Sequence, residues 1–253
     1  MATSPTTTYS GMAKKDQEIT SVGTPTGAVP RQSSSGEIAD FVRQVGQVAR
    51  PGNAQSRGRL LFALDATMSR QPTWDLACSL QAEMFQALPA NGSLSVQLLY
   101  FRGLAECRAS KWVNDAQGLA KLMSGVACQG GNTQISKVLA RARREHAKLP
   151  ISAVVYVGDA IEENVDSLAA KAGELGLLGC RMFIFQEGRD PRVEAAFREM
   201  ARLTKGAYAR FDASAPAELA ALLRAVAAYA TGGRAALRLQ KSAPATALLE
   251  QLK

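Results

Sequence analysis

Apolar residues in this chain fall into short blocks with two different periods. Leu60-Leu61-Phe62-Ala63-Leu64 is continuously apolar, as a strand buried on both faces has to be. Ile151 to Val157 repeats the pattern, and Leu94–Phe101, Cys107–Val113, Arg181–Phe185 and Ala207–Phe211 are further strand-like runs. Between them the spacing becomes helical. Residues 72–88 carry Trp74, Ala77, Leu80, Met84 and Leu88 on one side, and 116–126, 133–148, 162–177, 191–203 and 216–229 read the same way. The Arg102-Gly103 turn joins the second and third strands into a hairpin. This alternation predicts an α/β fold: a doubly wound, mostly parallel central sheet, flanked by helices on both faces, with one antiparallel edge strand.

The two ends are different in character. Residues 1–36 are rich in Ser, Thr, Gly and Pro, bury too little apolar surface to offset ordering entropy, and are expected to be disordered. Residues 37–50 form an amphipathic helix in this reading, with Ile38, Phe41, Val42, Val45 and Val48 at helical spacing and Pro51-Gly52-Asn53 as its stop. The α/β domain then occupies 58–231. Gly232-Gly233 marks its end, and 232–253 is a basic tail with Arg234, Arg238, Lys241 and Lys253 against Glu250.

Composition narrows the class. Of 253 residues 47% are hydrophobic but only 6% aromatic, so the core is built mainly from Ala, Leu and Val. No apolar run approaches the roughly 18–20 residues that cross a bilayer, and the N-terminus lacks a basic-then-apolar leader. A cytoplasmic protein with no membrane partner is expected. Cys78, Cys107, Cys128 and Cys180 have no C-x-x-C spacing and the chain has one histidine, His146, so the cysteines read as reduced thiols rather than zinc ligands. The net charge is +8, yet no basic stripe is interleaved with aromatics, which argues against specific nucleic-acid binding. Arg141, Arg143, Arg144 and Lys148 read as a solvated helix face.

The candidate chemistry sits where apolar strands end. Asp65-Ala66-Thr67-Met68-Ser69 follows the first strand and sets one carboxylate and two hydroxyls at alternate positions. Thr133 follows Gly130-Gly131, where glycine lets backbone approach closely, and Asp159 follows the strand that ends at Val157-Gly158. Loops at the C-terminal ends of such strands line one crevice. Hydroxyl and carboxylate oxygens suit Mg²⁺ or Mn²⁺ rather than zinc or copper. Taken singly, Asp65 and Thr67 could equally cap a turn.

These segments resemble the site motifs of von Willebrand factor type A (VWA) domains. Asp65-Ala66-Thr67-Met68-Ser69 resembles D-x-[ST]-x-S, Gly131-Asn132-Thr133 the second motif and Val157-Gly158-Asp159 the third. The third departs from the family's Asp-Gly order, with Gly before the Asp and Ala160 after it. The resemblance implies a Rossmann-like VWA fold and a metal-ion-dependent adhesion site, with Asp65, Thr67, Ser69, Thr133 and Asp159 around Mg²⁺ or Mn²⁺. It also implies a non-enzymatic adaptor gripping an acidic residue of a protein partner, in an ATPase or chelatase-type complex.

An enzymatic alternative remains open at this stage. Asp65-x-Thr67-x-Ser69 also resembles the D-x-T-x-T loop of haloacid-dehalogenase-type phosphotransferases. That likeness implies Asp65 as nucleophile, with Asp159 and Glu163 holding Mg²⁺. Neither Lys137 nor Lys171 has an obvious phosphate-facing position. No G-x-S-x-G elbow, P-loop or G-x-G-x-x-G is present.

Overall fold

A computed structural model describes residues 57–86, 93–212, 214 and 216–252. The expected N-terminal disorder and the 37–50 helix lie outside the described residues. The elements run β1 (Gly58–Asp65), a 3-10 turn (Met68–Arg70), α1 (Gln71–Leu80), α2 (Glu83–Gln86), β2 (Leu94–Arg102), β3 (Glu106–Val113), α3 (Ala116–Ser124) and α4 (Ile135–Lys148). They continue with β4 (Ala153–Gly158), α5 (Val165–Leu177), β5 (Met182–Glu187), α6 (Pro191–Leu203), β6 (Ala207–Phe211), α7 (Pro216–Leu239) and α8 (Ala243–Gln251).

The strands form one six-stranded sheet in the order β3-β2-β1-β4-β5-β6. Every pairing is parallel except β2 with β3, the hairpin at one edge. One apolar layer joins Leu60, Phe62, Leu64, Val155 and Phe183 to α1, α3, α7 and α8. The other joins Leu61, Ala63, Val154, Tyr156 and Ile184 to α4, α5 and α6. Burial on both faces is why β1, β4 and β5 are apolar without alternation.

Topology positions the site. From β1 the chain moves outward through β2 and β3, then returns to the other side of β1 and moves outward again through β4, β5 and β6. The order reverses between β1 and β4, and a crevice opens at the C-terminal ends of such a pair. In register, Leu64 faces Val157, which brings Asp65 and Asp159 to that crevice.

The segment after Gly232 differs from its reading as a tail. Helix α7 continues to Leu239, broken at Gly233, whose φ of +62° is one that glycine adopts without strain. Beyond the break, Leu237, Ala245, Leu248 and Leu252 are buried in the first apolar layer. Gln251 closes the sheet: its side-chain amide accepts from the Tyr208 N–H (2.8 Å) and donates to the Tyr208 carbonyl (2.9 Å) along the free edge of β6. The net charge of 232–253 is positive, but its apolar period decides where it packs. Among the described residues no helix is long and apolar enough to cross a membrane.

Candidate metal centre

Asp65 ends β1 and is only 4% exposed. The Ala66 N–H still bonds the Phe101 carbonyl, at 2.9 Å, so the ladder holds the chain until one residue past the carboxylate. Thr67 is extended, and its N–H donates to Asp65 Oδ1 at 2.8 Å. The Thr67 and Ser69 hydroxyls lie 3.4 Å apart, Thr67 buried and Ser69 exposed, so together they run from the interior to the rim. Burial raises the Asp65 pKa; the Thr67 hydrogen bonds oppose the rise, Asp159 adds to it and Arg70 offsets part of it. This is a carboxylate with too little compensating positive charge.

Thr133 is brought in by the loop that precedes α4. Its loop is tied to the β2–β3 turn: the Asn132 N–H donates to the Gly103 carbonyl at 3.2 Å, and Gln134 Nε2 donates to the Arg102 and Gly103 carbonyls. A Cβ on Gly131 would stand 2.0 Å from the Gly103 oxygen, so only glycine permits this approach. The same loop meets β1 where the Gln129 N–H donates to the Ala66 carbonyl at 3.0 Å. Glu162 then fixes Thr133 reciprocally, accepting from its N–H (2.8 Å) while the Glu162 N–H donates to Thr133 Oγ1 (3.0 Å). The Thr133 hydroxyl keeps its proton and one lone pair.

Asp159 is placed at the crevice but already has a cation. Arg70, 4% exposed, sets Nη1 3.2 Å from Asp159 Oδ2 and pairs its Nη2 with Glu187, to which Thr73 also donates. Glu187 ends β5 one strand further along, as Asp159 follows β4. All five residues expected from the sequence therefore lie at the C-terminal end of the sheet, with Asp159 engaged by a guanidinium.

The haloacid-dehalogenase-type reading is not supported. Glu163, its second metal ligand, instead caps α4, accepting from the Ile135 N–H and from the Ser136 N–H at 2.8 Å. Lys137 bonds the Ala105 carbonyl and Gln134 Oε1, and Lys171 bonds Ser136. Neither lysine is directed at Asp65.

Sequence reasoning missed Arg70, Glu162, Glu187 and Tyr156. Glu187 carried a readable signal, a carboxylate at the end of an apolar strand; Arg70 and Tyr156 carried none. The Tyr156 hydroxyl is wholly buried, has no hydrogen-bond partner among the described residues, and is held neutral by burial and by Asp65, Asp159 and Glu163. A Cβ on residue 158 would stand 2.6 Å from that hydroxyl, so Gly158 makes room for it. That accounts physically for glycine preceding the aspartate. Tyr156→Phe removes an unpaired polar group and is expected to raise stability by about 1 kcal/mol in urea denaturation; a loss of that size would mean the hydroxyl has a partner.

The donor chemistry fits a hard cation. Among the described residues no three His, Cys, Asp or Glu side chains form a metal-holding cluster, and all four cysteines are free. A cation here would depend on hydroxyls with one or two carboxylates, a set that suits Mg²⁺ or Mn²⁺.

The sequence matches no family model and no curated protein. Solved structures do match. A von Willebrand factor type A protein from Catenulispora acidiphila aligns with a TM-score of 0.55 and 17% identity, over 69% of this chain and 43% of that one. The SpRpn10 VWA domain aligns at 0.51 and 12%, over 66% and 95%. An aerotolerance-related membrane protein from Bacteroides fragilis aligns at 0.50 and 18%, over 63% and 95%. At these identities the likeness is one of fold, and the fold is the Rossmann-like VWA fold.

Proposed function

We propose that this chain is a protein-binding module, not an enzyme, whose crevice holds Mg²⁺ or Mn²⁺ and through it an acidic side chain of a partner protein. One observation carries the reading: a buried, under-compensated carboxylate, Asp65, shares the switch point of the sheet with the hydroxyls of Thr67, Ser69 and Thr133. In this scheme Asp65 supplies the charge and the three hydroxyls supply neutral oxygens. Asp159 joins them only on parting from Arg70. A bound divalent cation of low ligand charge supplies an open, electrophilic position for a carboxylate.

The chain's own residues do the positioning. Glu162 fixes the Thr133 hydroxyl, the Asn132 and Gln134 bonds fix its loop, and the β1–β2 ladder fixes Asp65. Exposed Ser69 and Met68 leave the rim open to a partner. His146, the one histidine, lies at the far end of α4, accepting from the Ile151 N–H.

Titration calorimetry with Mg²⁺ and Mn²⁺ tests this. The wild type is expected to bind, and Thr133→Ala to bind about tenfold more weakly for the loss of one neutral ligand. Equal affinities in the two proteins would remove Thr133 from the site, and absence of binding in the wild type would remove the site altogether.

A further inference from the structure

Arg143, Arg144 and Lys148 of α4 are exposed, as a solvated face requires, whereas Arg141 is half-buried. Arg143 pairs outward with Glu174, and Lys148 pairs with Glu145. The others gather where α4 crosses the β2–β3 hairpin, around a recess of about 140 Å³. Leu99, Cys107 and Ala109 line it from the sheet, and Lys137, Arg141 and Arg144 from the helix; among the described residues no carboxylate lines it.

The positive charge there is poorly matched. Lys137 is held by two neutral acceptors, the Ala105 carbonyl and Gln134 Oε1, each at 2.7 Å. Arg141 Nη2 shares Glu145 with Lys148, while Arg141 Nε is buried without a hydrogen-bond partner among the described residues. Arg144 forms no ion pair among the described residues. Burial pushes the Cys107 thiol up to about 11; Lys137, Arg141 and Arg144 all oppose that rise and the Glu163 carboxylate adds to it, so three cations and one anion act on this place.

We propose that this recess, separate from the crevice, binds a single phosphate group, either the free ion or a phosphomonoester. A phosphomonoester carries close to two negative charges near neutral pH and three strong acceptor oxygens. Two guanidinium groups and an ammonium supply matching donors, and arginine forks suit such oxygens geometrically. A recess of about 140 Å³ has room for one tetrahedral oxyanion. Among the described residues no aromatic ring lines the recess for base stacking, which separates it from a single-strand groove.

Calorimetric titration of the full chain with inorganic phosphate and with O-phosphoserine tests the site. Arg144→Ala is expected to weaken both ligands about tenfold or more, as the loss of a charged hydrogen-bond donor does. Arg143→Ala removes the same charge outside the recess and is expected to leave both affinities unchanged. Saturating phosphate is also expected to slow alkylation of Cys107 at the recess. Tighter binding of phosphoserine identifies a monoester as the occupant; tighter binding of inorganic phosphate identifies the free ion. Equal losses in Arg143→Ala and Arg144→Ala would reduce the effect to diffuse surface charge and overturn the proposal, as would failure of both ligands to bind.

Discussion

Arg70→Met is expected to lower the stability of the metal-free protein by about 3 kcal/mol and, in the same molecule, to tighten Mg²⁺ binding about tenfold. The two effects have one cause. The Arg70 guanidinium is buried between Asp159 and Glu187, whose side chains are 31% and 22% exposed. Removing one partner of a buried pair costs about 3–5 kcal/mol because a charge is left uncompensated, and partial exposure of these carboxylates puts the cost at the low end. Methionine keeps much of the apolar stem, so lost packing contributes little. The same deletion frees Asp159 and leaves its repulsion with Asp65 unbalanced. Two carboxylates without a counter-cation favour a divalent ion, so added Mg²⁺ restores part of the lost stability. Urea denaturation with and without Mg²⁺, beside calorimetry, measures both quantities. A stability loss with unchanged Mg²⁺ affinity would place Asp159 beyond the reach of the cation and leave Arg70 a purely structural residue.

The fold was legible because each signal was local. Helix α6 begins where Asp190 caps the Arg192 and Val193 N–H groups with Pro191 at the first turn, and Gly206 separates it from β6; sequence and structure agree there on every boundary. A Cβ on Gly206 would stand 1.9 Å from the Met182 carbonyl, so that stop is also a packing requirement. The span 72–88 was less legible. It divides into α1 and α2, with Gln81 and Ala82 in a turn between them, while its last two residues lie outside the described part. The site was legible only at strand ends. Asp65 and Asp159 follow apolar runs, but the Arg70–Glu187 pair spans 117 positions and exists only because the sheet order reverses at β1 and β4. Periodicity reports on a residue's own element, so it is silent about a guanidinium that joins loops from three strands. The buried Tyr156 hydroxyl escaped for a related reason: its ring obeys the apolar pattern of β4, and its polar atom does not.

Asp65→Asn separates the stability of the crevice from its proposed use. Burial raises the folded-state pKa of Asp65 above its unfolded value, so the folded protein holds this proton more tightly. For such an acid the contribution to stability is complete below the unfolded pKa and is lost as pH rises through the folded pKa. At neutral pH, with chelator present, the ionised Asp65 therefore opposes folding. Asparagine cannot ionise, and its side-chain oxygen can still accept the Thr67 N–H that now bonds Oδ1. The metal-free variant is expected to melt above the wild type at neutral pH, with the difference shrinking as pH falls through the acid range. Mg²⁺ reverses the ranking. At a hundredfold excess over the wild-type Kd, binding stabilises the wild type by about 2.7 kcal/mol, whereas Asp65→Asn, lacking the charged ligand, gains almost nothing. Thermal melts in EDTA and in Mg²⁺ measure the crossing. A variant that gains as much from Mg²⁺ as the wild type would show that Asp65 is buried for packing alone; a variant less stable in EDTA would mean that the wild-type carboxylate already has its counter-charge in Arg70.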